Sequence, residues 1–342
     1  MTHLTYLEAA VVGLVQGISE MFPVSSLGHS VLIPAIVGGS WARDLNVARP
    51  ESPYLAFIVG LHVATAIALI IYFWRDWLRI IGGLGSSLRD RRVRTADQKL
   101  AWMIVLATIP VGIAGLLFEH AFRVIFGKPV IAGVFLAVNG VILIAGERFR
   151  TRASVAADAA VAAAREPAEP AGTREPVAAL QPTGMRTPAA PPAQSAVGPP
   201  RQAAQDGAVQ ADQRLAAVSY PRAVAIGSAQ ILALLAGISR DGVTMVAGMT
   251  RGLSREDAAR FAFLLATPVI LAAGALKVPD LLGPLGSGIR GQILLGSMLS
   301  GAGAYLSVRF LLRYLRTRTL TPVGVYCLIA GLACVVYLGL VR

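Results

Sequence analysis

Charge is scarce in this sequence: 15% of its 342 residues are Asp, Glu, Lys or Arg, where a soluble domain carries about 25%. Hydrophobic residues make up 55%, and the mean hydropathy is +0.63. The apolar residues come in long blocks, so a soluble globular domain is excluded and an integral membrane protein is expected. Cysteine is nearly absent. Cys327 and Cys334 are the only two; on one helix they lie about 10 Å apart along the axis, beyond disulfide reach. No metal-type cysteine spacing exists. Acidic residues are few, 19 against 31 Lys and Arg, for a net charge of +12. The arginines sit between apolar blocks, as in RDWLRI and RDRRVRT, without aromatic interleaving or a recognition motif. That excludes nucleic acid as a partner and points to orientation in a bilayer. The start, MTHLTYLEAA, has no basic n-region, so the first apolar run is not expected to be a cleavable signal.

Six blocks are long enough for the roughly 17–25 residues a crossing needs: Tyr54–Trp74, Ala101–Phe118, Val130–Gly146, Phe261–Lys277, Gln292–Leu312 and Pro322–Leu340. Two further apolar stretches are interrupted. Leu7–Val37 contains Glu20, Pro23, Ser25, Ser26 and His29; Ala223–Met249 contains Gly237, Ser239, Arg240 and Asp241. Each reads as helix, polar break, helix. Such backbone survives at membrane depth only when buried in protein or lining a wet cavity, so both are expected to be re-entrant hairpins. Thr151–Ser219, rich in Ala, Pro, Gln and Arg, lacks the residues to build a core and reads as a disordered linker.

A shift of 214 positions lays Gly13 on Gly227, Gln16 on Gln230, Ser25 on Ser239 and Gly28 on Gly242. The loop after the first span holds Arg75, Arg79, Arg89, Arg91, Arg92, Arg94 and Lys99, which makes it cytoplasmic by the positive-inside rule. Three spans per half is an odd number, so the halves are expected upside down relative to each other. The expected fold is therefore all-α and polytopic, with six transmembrane helices and two re-entrant helical hairpins in an inverted repeat. Residues 1–150 form the first repeat, 151–219 the cytoplasmic linker and 220–342 the second repeat. The polar breaks meet near the midplane, where inverted-repeat proteins build their sites.

Ionisable groups inside a membrane mark a site. Arg240 offers a planar fork of donors for phosphate oxygens, Ser239 and Thr244 add hydroxyls, and the helix that follows points amides at an anion. Glu20 lies one turn after Gln16, so the two share a helical face and could present oxygens to a divalent cation; alternatively Glu20 orients His29 or handles a proton. Ser25 and Ser26 ahead of His29 suggest a hydroxyl beside a base, and Gly28 permits close backbone approach to a ligand. His62, in GLHVATAIAL, reads as a satisfied interior histidine rather than a ligand.

At these residues the chain resembles the undecaprenyl-pyrophosphate phosphatase family of the bacitracin-resistance type. QGISEMFPVSSLGH, Gln16 to His29, fits its signature (E/Q)GxxExxPVSSxGH, and AGISRDGVT, Ala236 to Thr244, resembles PGxSRSxxT. The resemblance spans nearly everything except the linker. It implies hydrolysis of a C55-type polyprenyl pyrophosphate to the monophosphate carrier and phosphate, at a site open to the outer face of a bacterial plasma membrane. It makes Glu20, Ser26, His29 and Arg240 catalytic, supported in substrate binding by Gln16, Ser25, Gly28, Ser239, Asp241 and Thr244. A divalent cation, Mg²⁺ or Ca²⁺, assists, with Glu20 and Gln16 as candidate ligands. The partners are the lipid substrate and the bilayer, and the one protein partner entertained is a second copy of the chain. Leu27, Ala236 and Asp241 depart from the pattern, and Asp241 places a carboxylate beside the phosphate-binding arginine. The rival expectation is a transporter, such as a polyprenyl-phosphate flippase, using the same midplane cavity; release of phosphate separates the two.

Overall fold

The computed structural model describes residues 4–45, 53–126, 128–165, 200–283 and 288–340, and among them there is no β-strand. Helix α1 (Tyr6–Met21) starts on a reciprocal cap: Thr5 accepts the Glu8 N–H at 3.2 Å, and Glu8 accepts the Thr5 N–H at 2.8 Å. Pro23 ends it, because the residue before a proline is driven out of the helical region, and Phe22 is extended at ψ 139. The chain restarts as α2 (Ser26–Val37) and continues through α3 (Gly39–Asp44), α4 (Pro53–Tyr72), α5 (Trp74–Asp90), α6 (Ala96–Phe126) and α7 (Pro129–Arg165). The second half comprises α8 (Pro200–Ala216), α9 (Tyr220–Ser228), a 3-10 helix (Ala229–Leu234), α10 (Arg240–Met249), α11 (Arg255–Leu282), α12 (Arg290–Tyr314) and α13 (Thr321–Leu340).

Five of these, α6, α7, α11, α12 and α13, are long and apolar enough to cross a membrane. A sixth crossing depends on α4, which ends at Tyr72; the chain then bends by 86° into α5. The expected span Tyr54–Trp74 corresponds to α4, and the arginine-rich segment after it, expected as a loop, is largely helical. The stretch Thr151–Ser219, expected to lack structure, is helical at both ends: α7 runs on to Arg165 and α8 fills Pro200–Ala216. Residues 166–199 of that stretch lie outside the described residues. Its composition hid α8 because ion pairs to distant residues dock this helix, beside buried Ala211, Leu215 and Ala216. Buried Asp212 accepts from Arg79 at 2.5 Å and from Arg260 at 2.8 and 3.0 Å, while Arg214 makes a two-pronged pair with Asp257 at 2.8 and 2.9 Å.

Packing between apolar helices relies on small residues. Lipid supplies no hydrophobic drive for helix association, so close van der Waals approach has to supply the attraction. On α1, Gly13 lies against Gly296 and Gly17 against Ser300 of α12; on α9, Gly227 lies against Ala107 of α6. Helices α7 and α13 cross with Gly133 on Gly331 and Gly140 on Gly324. Around α11, the side chains of Phe261, Phe263, Leu264 and Leu265 are fully buried. These contacts fix where the two polar breaks lie.

Candidate active site

The breaks touch backbone to backbone. Gly28 faces the Cα of Gly237, where an added Cβ would stand 2.9 Å away, and Gly242 faces Pro23. Gly237 has φ +113, and a Cβ there would overlap the carbonyl of Ala132 on α7. Ser25, a non-glycine at φ 67, caps α2: its Oγ accepts the Gly28 N–H at 3.2 Å and the Gly237 N–H at 3.2 Å. This left-handed serine is strained, and the two bonds to its side chain hold it. Ser239 caps α10 likewise, accepting from Gly242 N at 3.1 Å. Asn139, fully buried on α7, joins the breaks from the side. Its Oδ1 accepts the Ser239 N–H at 3.0 Å, and its Nδ2 donates to the Pro23 carbonyl at 2.9 Å.

That scaffold brings Glu20, at the end of α1, to Arg240, the first residue of α10. Arg240 Nη2 donates to Glu20 Oε1 at 2.6 Å. Glu20 Oε2 accepts from Gln16 Nε2 at 2.9 Å and from the Ser26 hydroxyl, and His62 Nε2 stands 3.4 Å away. A carboxylate can only accept here, so Ser26 points its proton at Glu20. Arg240 Nε makes no hydrogen bond among the described residues and lies 3.5 Å from Asp241 Oδ1. This pair is 8% exposed at Glu20 and half-buried at Arg240, an ionic contact held in low dielectric where charge interactions are strong.

Of the residues marked in the sequence, Gln16, Glu20, Ser26, Arg240 and Asp241 come together. His29 does not join them through its ring: Nδ1 meets the Ser25 carbonyl at 2.8 Å and Nε2 the Tyr326 hydroxyl at 2.8 Å. The carbonyl fixes the proton on Nδ1, so in neutral His29 the hydroxyl of Tyr326 caps the Nε2 lone pair. The expected Ser26–His29 pair is replaced by Ser26–Glu20. Thr244 is also committed elsewhere, donating to the Arg240 carbonyl at 2.7 Å. Ser25 and Ser239 use their oxygens to accept backbone N–H groups. Gly28 lies in the contact between the breaks. Leu27 packs against the hydrophobic core, and Ala236 is buried in it.

The sequence reading took His62 as a satisfied interior histidine and passed over Asn139 and Tyr326. His62 Nδ1 lies 2.9 Å from the Ile58 carbonyl and therefore carries a proton, while Nε2 lies 3.2 Å from Gln16 Nε2. In the neutral ring Nε2 accepts from Gln16, whose two amide protons then go to Glu20 and His62. Gln16 Oε1 is left buried without a hydrogen-bond partner among the described residues. The signal for Asn139 was present, an amide inside the apolar run VFLAVNGVILIAG; Tyr326 carried none.

A divalent cation prefers oxygen ligands. Both oxygens of Glu20 are already held by donors, whereas Gln16 Oε1 and both carboxylate oxygens of Asp241 are buried with no hydrogen bond among the described residues. Oxygens of that kind fit the ligand preference of a hard cation. No cluster of three or more His, Cys, Asp or Glu side chains able to hold a metal by itself occurs among the described residues.

The described residues thus form a helical membrane protein in which a guanidinium, a carboxylate-bound serine and buried oxygens lie between two helix breaks. The comparisons make this specific. The sequence profile of the bacitracin resistance protein BacA family matches residues 9–166 and 200–333, and the chain belongs to that family. It is 55% identical over 338 residues to the undecaprenyl-diphosphatase of Mycolicibacterium paratuberculosis, covering 99% of each chain. It is 54% identical over 341 residues to undecaprenyl-diphosphatase 2 of Frankia alni, covering 98% of each. With undecaprenyl-diphosphatase 2 of Chromobacterium violaceum it shares 35% identity over 330 residues.

Proposed function

We propose that this protein hydrolyses undecaprenyl pyrophosphate to undecaprenyl phosphate and inorganic phosphate, returning the carrier lipid to cell-wall synthesis. The observation that carries the reading is Arg240 held on Glu20 at 2.6 Å while Ser26 donates to the same carboxylate. Arg240 binds the terminal phosphate through donors not given to Glu20. It stabilises charge as the bond to the bridging oxygen lengthens, which is where most of the rate enhancement in phosphoryl transfer arises. Ser26 Oγ attacks the terminal phosphorus, its proton passes through Glu20 to the departing undecaprenyl phosphate, and that product leaves with the bridging oxygen. Water then attacks the phosphoserine, and Glu20 takes the water proton and returns it to Ser26 Oγ as phosphate departs. Gln16 Oε1 and Asp241 would hold Mg²⁺ or Ca²⁺, which when bound neutralises phosphate charge.

The topology we infer is the inverted repeat. The shift of 214 positions that carries Ser25 to Ser239 also carries Gly28 to Gly242 and Pro23 to Gly237. Under that operation the Gly28–Gly237 contact becomes the Gly242–Pro23 contact, and the cap of Ser25 on Gly28 N becomes that of Ser239 on Gly242 N. A different shift, of 191 positions, carries Gly133 to Gly324 and Gly140 to Gly331, and under it the Gly133–Gly331 and Gly140–Gly324 contacts of α7 and α13 exchange. Residues 1–150 and 220–342 are then the two repeats, in a bacterial plasma membrane. The arginine-rich ends face the cytoplasm, and the site opens to the opposite side.

Purified protein in detergent is expected to release phosphate from undecaprenyl pyrophosphate with Mg²⁺ or Ca²⁺ present; translocation of the lipid by vesicles without phosphate release would reject the reading. Asp241→Ser is expected to raise the Mg²⁺ concentration for half-maximal rate by at least ~10-fold, since even outer ligands matter that much. A higher rate with unchanged Mg²⁺ dependence would show instead that Asp241 repels substrate. His62→Ala, which frees the Gln16 amide, is expected to lower kcat/KM by about tenfold, the scale of one buried hydrogen bond. His62→Gln, which still offers Gln16 an acceptor oxygen, should recover most of that loss.

A further inference from the structure

Helix α5 buries polar groups beside Ile80 on the face toward the protein and leaves an apolar stripe on the other. Polar groups face the protein: Asp76 meets Arg79 at 2.5 Å and Arg260 at 3.1 Å, Ser87 accepts from Trp102 Nε1 at 2.9 Å, and Ser86 accepts from Gln98 at 3.0 Å. Apolar groups face out: Trp74, Leu78, Ile81 and Leu88 are 50%, 63%, 61% and 58% exposed. Their spacing keeps them in one stripe, and a stripe of large exposed apolar side chains is informative where a single one is not. The stripe continues an exposed surface on α4, where Ile67 and Ile71 also face outward. The chain turns by 86° between the two helices, so α5 runs across the end of α4 rather than along it. Basic side chains edge the stripe. Arg75 lies over the Trp74 ring at 5.1 Å, and exposed Arg89, Arg91, Arg92 and Arg94 follow, with Asp90 the one carboxylate among them.

We propose that α5 is a surface helix seated in the leaflet where α4 ends, with its apolar stripe among the acyl chains and its arginines on anionic phospholipid headgroups. Each part of the arrangement suits that occupant. Interfacial helices bury one apolar face shallowly and carry basic residues beside it, tryptophan prefers the headgroup level, and clustered arginines next to a span attract anionic lipid. The Asp76–Arg79–Arg260–Asp212 cluster then clamps the inner face to α8 and α11, so the helix anchors the folded cytoplasmic side to the bilayer. Only the choice of the cytoplasmic leaflet rests on the topology proposed above.

The test leaves Trp74 as the sole tryptophan, through Trp41→Phe, Trp77→Phe and Trp102→Phe, in vesicles of phosphatidylcholine and phosphatidylglycerol. Lipids brominated near the headgroup should quench Trp74 more than lipids brominated near the chain end, and aqueous iodide should quench it little. Quenching by iodide and not by brominated lipid overturns the proposal. Protection from both, with crosslinking between copies through Leu78→Cys, would overturn it in favour of a second copy of the chain covering the stripe. If the tryptophan variants do not fold, a spin label on Leu78→Cys reports the same depth, by greater collision with oxygen than with a water-soluble nickel chelate. For the charge, spin-labelled phosphatidylglycerol should be enriched over phosphatidylcholine around the protein, and Arg75→Gln with Arg89→Gln, Arg91→Gln and Arg92→Gln should abolish the enrichment. Retained enrichment rejects the headgroup role. Labelling of Arg92→Cys by a membrane-impermeant thiol reagent in vesicles of known sidedness decides the leaflet separately, so failure of the topology and failure of the surface helix give different results.

Discussion

Glu20→Gln is expected to lower phosphate release from undecaprenyl pyrophosphate by roughly 10²–10⁴-fold, the range of a lost general base. Glu20 is the acceptor for Ser26, Gln16 and Arg240 at once. A glutamine keeps the shape but offers one acceptor oxygen and no base. Arg240→Ala is expected to be at least as damaging, because it removes the phosphate clamp and strands the Glu20 carboxylate. Stranding a buried ion by removing its partner costs about 3–5 kcal/mol, so Arg240→Ala should also lower the thermal midpoint in detergent. The two effects should not add. If Glu20 and Arg240 act as one unit, the double variant Glu20→Gln, Arg240→Ala should be no slower than the worse single one and more stable than Arg240→Ala alone. Full additivity of the two rate losses would mean that the contact is only structural. Single-turnover measurement with each variant separates the chemical step from substrate binding.

Gly237→Ala is expected to lower activity by roughly 10²-fold while leaving most of the helices intact. Gly237 combines φ +113 with a backbone contact to Ala132 that leaves no room for a Cβ. An L side chain there costs about 1–3 kcal/mol in backbone strain, before the overlap with α7 is relieved by moving the break. Movement breaks the Gly237 N–H bond to Ser25 and shifts Arg240, three residues on, away from Glu20. A displacement of about 1 Å is enough for a loss of roughly 10²-fold. Gly252→Ala is the control: Gly252 also has positive φ, +96, but open space around its Cβ position. It should show a small stability loss and an unchanged rate. Equal losses of rate in both variants would mean that general destabilisation, rather than the position of the break, limits activity.

Much of the architecture could be read from residue order. Apolar length alone marked the positions of α6, α7, α11, α12 and α13, because a crossing helix must satisfy its own backbone and present nonpolar side chains to lipid. Pro23 and Gly237 marked the breaks for backbone reasons that are local. Helix α5 was missed because its apolar residues, spaced for one face, are interleaved with arginines, so no continuous run announces it. Helix α8 was missed because Asp212 and Arg214 hold it through partners at Arg79, Arg260 and Asp257, far away in the chain.

The site divides along the same line. The sequence by itself determined that a carboxylate, a serine and an arginine sit in two interrupted helices of a membrane protein, since residue types and hydrophobic length are properties of the chain. Only the tertiary structure decided which groups meet. Glycine-sized contacts set how α1, α12, α7 and α13 cross, and that crossing turned His29 toward Tyr326 and brought His62 to Gln16 and Glu20. A histidine three residues from a serine is near it in sequence, but hydrogen bonds reach only about 3 Å, and at that range helix packing chooses the partner.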